Sequence, residues 1–158
     1  MLIKIYSKSL KDTEEIGQII AQHAFRGEVI TLSGDLGAGK TTLTKGVGKG
    51  LGITDDINSP TFNILKCYFN KNMNLYHIDA YRLEGVSSAQ KNIGLEEVIE
   101  GDGICLIEWP QYIEEFIPFE SLSIEIHNLE NDVRELTFVT NSPKYFSLLD
   151  ELKEKIHA

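Results

Sequence analysis

The stretch GDLGAGKTTL restricts the possible folds of this chain more than any other part of its sequence. It matches the phosphate-binding pattern G-x-x-x-x-G-K-[S/T] at every required position from Gly34 to Thr41. The apolar run EVITLSG before it is typical of a buried strand, and the residues from Lys40 to Leu51 are predicted to form a helix. A strand, a glycine loop and a helix in this order predict a phosphate-binding P-loop.

Each residue type that the pattern requires has a physical task. Gly34 and Gly39 leave no Cβ in the way of backbone N–H groups that turn inward around phosphate oxygens. The Lys40 ammonium is placed to reach the β and γ phosphates, and the Thr41 hydroxyl is placed to coordinate Mg²⁺. The alternative is a glycine-rich turn with a chance GKT, which the flanking strand and helix argue against.

Size and charge narrow the class of protein. A chain of 158 residues is expected to fold as a single domain spanning residues 1–158. Its formal net charge of −9 argues against direct binding to DNA or RNA, so any contact with RNA is expected to go through a basic partner. Without a long apolar segment at the amino end or elsewhere, we expect a soluble, cytoplasmic protein that does not contact a membrane.

The remaining pattern predicts an α/β fold. A short strand at Leu2–Tyr6 is followed by a helix that is predicted to begin with a capping box at Asp12. Further strands are predicted at LYHID, ICLIEW, LSIEIHN and RELTFVT, and a final helix follows Pro143. We expect a three-layer P-loop NTPase-like domain with a mixed, largely parallel sheet and helices on both faces.

Two acidic residues stand where a P-loop enzyme needs them. Asp79 closes the strand LYHID and Glu108 closes ICLIE, and the carboxyl ends of parallel strands face the ligand crevice of an open sheet. Phosphoryl chemistry requires an acid near the metal or the attacking water, so both are candidate catalytic residues, although each alone could be a solvated strand end. Thr61 in the segment SPTF lies where nucleotide switches place a hydroxyl that senses the γ-phosphate.

Three other kinds of nucleotide-binding protein can be compared with this sequence. A GTPase is unsupported because the nearest stretch to a guanine motif, Asn70 to Met73, ends in a methionine that cannot accept guanine's hydrogen bonds. A small-molecule kinase is a rival, but its lid normally carries several arginines and this chain has Arg26, Arg82 and Arg134. The third possibility is an adaptor that binds ATP without cleaving it.

The ordered motifs GDLGAGKTT, SPTF, HIDAYRL, GLEEVI and IEWP resemble those of the bacterial TsaE (YjeE) family of P-loop ATPases. The resemblance runs from the region of Ser9 to the strand RELTF. It implies an ATPase that binds ATP or ADP with Mg²⁺ and serves threonylcarbamoylation of the adenosine beside the tRNA anticodon. It also implies that the partners are the proteins TsaD and TsaB, with tRNA met only indirectly through them.

The resemblance further assigns roles to residues. It implies Lys40, Asp79 and Glu108 as the catalytic residues, with Asp79 orienting or activating the water. It implies that Thr41 and Glu108 hold Mg²⁺, although the spacing leaves open which of Asp79 and Glu108 is the direct ligand. The phosphates would be held by Lys40 and by the backbone amides of Gly37, Ala38, Gly39, Thr41 and Thr42.

The resemblance also implies three residues near the adenine base of the nucleotide. The resemblance implies that Ser9 and Thr13 border the base and that Arg134 packs against it. In this sequence Val133 precedes Arg134 where the family tends to have a glycine, and the alternative for Arg134 is an exposed strand residue. Tyr81 and Arg82, shortly after Asp79, would read the nucleotide state or contact the partner, or else form an ordinary surface pair.

Overall fold

The computed structural model describes residues 1–35, 39–54, 57, 64–91 and 94–156 of the chain. Within these ranges seven strands form one sheet. The strands are β1 (Leu2–Ser7), β2 (Val29–Gly34), β3 (Leu65–Tyr68), β4 (Leu75–Asp79), β5 (Ile104–Glu108), β6 (Leu122–Asn128) and β7 (Arg134–Thr140). The α-helices are α1 (Leu10–Gln22), α2 (Lys40–Leu51), α3 (Ser88–Lys91), α4 (Leu95–Ile99) and α5 (Phe146–Lys155).

The sheet combines a parallel centre with antiparallel margins. Its strand order is β1-β7-β6-β2-β5-β4-β3. The pairs β6–β2, β2–β5 and β5–β4 are parallel, while β1–β7, β7–β6 and β4–β3 are antiparallel. The strand that leads into the glycine loop therefore lies in the middle of the sheet, between two parallel neighbours.

Two apolar cores cover the two faces of the sheet. On one face, β2 residues such as Ile30 pack with α1, α2 and α5. On the other face, Val29 and Ile78 pack with α4 and with short 3-10 turns. This alternation follows from the strand period of two, and it confirms the predicted α/β fold with helices on both faces.

Helix α1 begins earlier than its sequence pattern suggests. The N-cap is Ser9, whose hydroxyl accepts a hydrogen bond from the Asp12 backbone N–H at 3.1 Å. The Asp12 carboxylate in turn accepts from the backbone N–H of Lys8 at 2.9 Å. The predicted start at Asp12 is therefore wrong by one turn, because Asp12 is the third residue of the helix and supports the cap.

Helices α1 and α2 pack unusually close together because glycines face each other. A Cβ added to Gly17 would lie 2.8 Å from the Val47 nitrogen, and one added to Gly50 would lie 2.6 Å from the Cβ of Ala21. The second glycine cluster of the sequence, from Gly46 to Gly50, therefore serves helix packing, as predicted. None of the helices in the described ranges has the length and apolar character needed to cross a bilayer.

Candidate functional site

The predicted phosphate-binding loop joins β2 to α2 at the carboxyl edge of the sheet. Gly34 has a φ of 131°, and a Cβ there would strike the Ile126 carbonyl oxygen of the neighbouring strand. Gly39 is the N-cap of α2 with a φ of 103° in the left-handed region. Both conformations favour glycine for steric reasons. Lys40, the first helical residue, is buried and stands at the positive end of the helix.

Asp35 attaches the start of this loop to the end of β6. Its carboxylate accepts a hydrogen bond from the Asn128 backbone N–H at 2.9 Å and lies 3.6 Å from the His127 ring. The hydrogen bond from Asn128 is the main reason that the pKa of Asp35 lies below its usual value, and His127 and Lys40 also lower it. An ionised Asp35 thus fixes the loop where the chain leaves the sheet.

The two predicted acids lie side by side at the carboxyl ends of adjacent parallel strands. Asp79 of β4 is the register partner of Glu108 of β5. The Ala80 backbone N–H donates to the Glu108 carbonyl at 3.0 Å, which extends the pairing one residue beyond Asp79. The strands therefore bring together two carboxylates that are far apart in sequence.

Asp79 is half-buried, and its pKa depends on this burial and on the charges around it. Burial raises the pKa of Asp79 above its usual value, and the neighbouring Glu108 raises it further. The Tyr81 backbone N–H, which donates to Asp79 Oδ1 at 3.1 Å, opposes this rise in pKa, as do His77 and Lys40. Lys40 and Asp79 are thus close enough to interact, so the loop and the strand ends form one site.

Glu108 is more deeply placed than Asp79. It is 5% exposed, and its Oε2 lies 2.6 Å from Nε2 of His77, which is fully buried. A buried carboxylate is costly unless it has hydrogen-bond and charge partners. His77 supplies the hydrogen bond, and the buried ammonium of Lys40 belongs to the same site.

Aromatic rings line one side of the site. The Lys40 Nζ lies 5.3 Å from the centroid of the Trp109 ring, which is within range of a cation–π contact. Trp109 also contacts Tyr81 and Tyr112, with ring centroids 5.1 Å and 6.0 Å apart. Its backbone is left-handed, with φ 57° and ψ 52°, which is uncommon for a bulky residue and sets the ring beside the lysine.

The residues predicted near adenine lie at the same edge of the sheet. Arg134 is the register partner of Ser7 at the end of β1, directly before α1. Thr13 is buried and holds Ser7 through a hydroxyl–hydroxyl contact of 2.6 Å, and its Cγ2 is 3.8 Å from a Cβ built on Gly39. Ser9 is exposed and its hydroxyl already caps α1. Thr13 thus adjoins the loop, while Ser9 serves the helix.

The donors present suit Mg²⁺ shared with a nucleotide. Mg²⁺ is usually bound in phosphoryl-transfer sites by one or two protein oxygens together with phosphate oxygens and water. The half-buried Thr41 hydroxyl and the buried Glu108 carboxylate are of this type, with Asp79 adjacent. No group of three or more His, Cys, Asp or Glu in the described ranges is arranged to hold a metal ion.

Some predictions fall outside the described residues, and one residue was missed. Gly37, Ala38 and Thr61 lie outside the described ranges, so their predicted roles stay predictions. The sequence analysis did not single out His77. The strand period of two could have indicated it, because that period puts His77 on the same face of LYHID as Asp79.

Comparison with known proteins finds relatives that match most of the chain. Residues 7–136 match the family model described as threonylcarbamoyl adenosine biosynthesis protein TsaE. The tRNA threonylcarbamoyladenosine biosynthesis protein TsaE of Bacillus subtilis is 47% identical over 142 residues, covering 90% of this chain and 88% of the relative. The protein of the same name from Treponema pallidum is 36% identical over 135 residues, covering 85% of this chain and 98% of the relative.

A solved structure supports the fold. The crystal structure of YdiB from Bacillus subtilis superposes with a TM-score of 0.83 at 40% identity, covering 98% of this chain and 95% of that one. The fold and the site define a P-loop-like α/β domain. The chain belongs to the TsaE family, which confirms the resemblance seen in its motifs.

Proposed function

We propose that this protein is a Mg²⁺-dependent ATPase that acts in the biosynthesis of threonylcarbamoyladenosine in tRNA. The observation that carries the proposal is the meeting of Lys40, at the start of α2, with Asp79 and Glu108 at the ends of two adjacent strands. A cation for phosphates beside two acids for metal and water is the set of groups that ATP hydrolysis needs. Membership of the TsaE family supports the pathway.

In the proposed site the chain supplies positioning and charge. Lys40 and the amides at the start of α2 hold the phosphates, and the helix end favours their negative charge. Thr41 and Glu108 hold Mg²⁺, which neutralises charge that develops on the phosphate oxygens. Gly34 and Gly39 keep the loop backbone free of side chains at its two ends.

Asp79 is the residue we assign to the water. Because the Tyr81 N–H occupies Oδ1, the second carboxylate oxygen is left for a ligand. Half burial raises the Asp79 pKa, which makes the carboxylate a better proton acceptor than a fully exposed one. Glu108 is tied to His77 and is therefore the better assigned of the two to hold the metal.

The proposal extends to partners. The protein binds TsaD and TsaB and drives turnover of their complex, and tRNA is held by those partners. The net charge of −9 supports this division, because a chain this acidic repels the phosphate backbone. Tyr81, which is 57% exposed and lies two residues after Asp79, is a candidate contact whose position depends on the nucleotide.

Phosphate release from ATP, measured with and without Mg²⁺, tests the enzyme assignment. We expect Asp79→Asn and Glu108→Gln each to lower kcat by about 10²-fold or more, the size typical of a lost catalytic group. Lys40→Ala should abolish nucleotide binding, because it removes the cation that meets the phosphates. Asp150→Asn, an exposed change on α5, is the matched control and should leave both unchanged.

Two outcomes would contradict the assignment. Nucleotide binding and turnover that survive Lys40→Ala would exclude the P-loop as the site. A phosphorylated nucleoside or sugar formed from ATP would instead identify a small-molecule kinase, and ATP that binds without cleavage would identify an adaptor.

A further inference from the structure

His77 is a fully buried polar residue that makes one polar side-chain contact within the described part of the chain. Its side chain has no exposed surface, and its Nε2 lies 2.6 Å from Glu108 Oε2. The other ring nitrogen, Nδ1, has no hydrogen-bond partner among the described residues. The bond to Glu108 is therefore the interaction that gives this ring a defined orientation.

A histidine at this position is costly for packing alone. An unpaired polar atom in the interior costs about 1–3 kcal/mol, which an apolar side chain on the same strand would avoid. The strand neighbours Leu75 and Ile78 are fully buried and apolar, so the surroundings accept such a side chain. This cost is consistent with a task for His77 at Glu108 that leucine cannot perform.

The chemistry of the bond indicates that task. An ionised Glu108 accepts hydrogen bonds, so the ring donates from Nε2. This hydrogen bond occupies Oε2 and restricts rotation of the carboxylate, which leaves Oε1 for other ligands. Carboxylates that bind metals are commonly oriented by such a second hydrogen bond, and losing it typically costs 10–100-fold in metal affinity.

We propose that His77 is a positioning residue that holds the Glu108 carboxylate ready to bind Mg²⁺ with the nucleotide. The proposal rests on the proposed function, because it takes the nucleotide–Mg²⁺ complex as the ligand. His77 acts through Glu108 and does not itself contact the nucleotide. The two acids of the site thus differ in what holds them. Glu108 is hydrogen-bonded to the His77 side chain, and Asp79 to the backbone N–H of Tyr81.

Binding of ATP by calorimetry, once with Mg²⁺ and once with EDTA, tests this role. We expect His77→Leu to weaken the Mg²⁺-dependent affinity by about 10–100-fold, while affinity in EDTA stays unchanged. His77→Gln should retain most of the affinity, because its amide N–H can reach Glu108 in place of Nε2. In a Glu108→Gln background, His77→Leu should have no additional effect.

A second measurement covers the case in which His77→Leu does not fold. This measurement compares ¹⁵N NMR spectra of the wild-type protein with those of two variants. Relative to wild type, the Nε2–H signal of His77 should shift in Glu108→Gln and stay in place in Asp150→Asn. A signal that ignores Glu108→Gln, or full Mg²⁺-dependent affinity in His77→Leu, would overturn the positioning role. If the wild-type protein itself shows no difference between Mg²⁺ and EDTA, the proposed function fails instead.

Discussion

Glu28, directly before β2, is a buried acid. It is 1% exposed, and neither carboxylate oxygen has a hydrogen-bond partner among the described residues. Burial raises the pKa of Glu28 to about 8, while the Phe25 backbone only partly opposes the rise. Near neutral pH the folded protein therefore holds Glu28 mostly as the neutral acid, whereas the unfolded chain exposes an ordinary carboxylate.

This difference predicts how Glu28→Gln changes stability with pH. A pKa raised by folding stabilises the protein fully below the unfolded value of 4.5, and that contribution is lost as pH rises through about 8. Glutamine does not titrate, so the stability of the variant relative to wild type should rise by about 4 kcal/mol between pH 5 and 8.5. Urea denaturation across this range measures the difference.

The exposed change Glu130→Gln is the matched control for Glu28→Gln. Its effect on the free energy of unfolding should stay small and nearly constant over the same range. A difference between wild type and Glu28→Gln that does not vary with pH would contradict the neutral buried acid.

At the residue scale, the sequence predicted the site residues that belong to a motif or stand at the end of a strand. Lys40 was identified by its place in the P-loop pattern, and Asp79 and Glu108 by their positions after apolar runs. His77 and Glu28 were not predicted, since each stands inside or beside an apolar run. The strand period of two puts His77 on the same face as Asp79, but spacing along one strand does not reveal the bond from His77 to Glu108 or the burial of Glu28.

At the element scale, the contact between α1 and α2 determines how the start of α1 meets the glycine loop. Gly17 lies at the crossing, and a Cβ there would sit 2.8 Å from the Val47 nitrogen and 2.5 Å from the Leu43 carbonyl oxygen. Both are backbone atoms and cannot rotate away, so one helix must shift. Such a shift also moves Thr13, which adjoins Gly39.

Gly17→Ala should therefore destabilise the protein by about 1–3 kcal/mol, despite the higher helix propensity of alanine. The free energy of unfolding in urea measures this. Gln22→Ala, an exposed change at the end of α1, should be neutral or slightly stabilising. If Gly17→Ala were as stable as wild type, the close helix contact would be wrong.

The elements of the central sheet and the helix after the glycine loop were predictable, but the start of α1 was not. The pattern of apolar residues gave β2, α2, β4 and β5 nearly at their observed limits. The start of α1 was placed one turn late, because Asp12 and Ser9 are both good capping residues and the hydrogen bonds decide between them. Local sequence does not settle such a competition.

At the scale of the whole molecule, we expect the nucleotide to control binding to partners. Immobilised protein should retain a purified mixture of TsaB and TsaD to different extents with ATP, with ADP and without nucleotide. The reason is that Tyr81 and Arg82 lie two and three residues after Asp79, and the Tyr81 backbone N–H donates to the Asp79 carboxylate, so loss of the γ-phosphate at the site can move them. The bound fraction on a gel is the measurement.

Lys40→Ala is the control for this retention experiment. Since it should not bind nucleotide, its retention of the partners should be the same in all three conditions. Equal retention by the wild-type protein in all three would remove the nucleotide switch and leave the ATP site intact.

The order of strands was beyond reach of the sequence. Pairs such as β2–β6 and β1–β7 join residues about a hundred positions or more apart, and no local pattern specifies such partners. The expected mixed sheet was confirmed. The central place of β2 and the antiparallel pairing of β1 with β7 emerged only from the structure.

That strand order also affects the time at which the protein can become active during synthesis. β2 carries the loop that we assign to ATP, yet both of its neighbours, β5 and β6, leave the ribosome much later, and β1 must wait for β7. Chains emerge at roughly 5–20 residues per second, so the early strands remain unpaired for seconds. The nascent chain therefore cannot acquire a working site until most of its length has been translated.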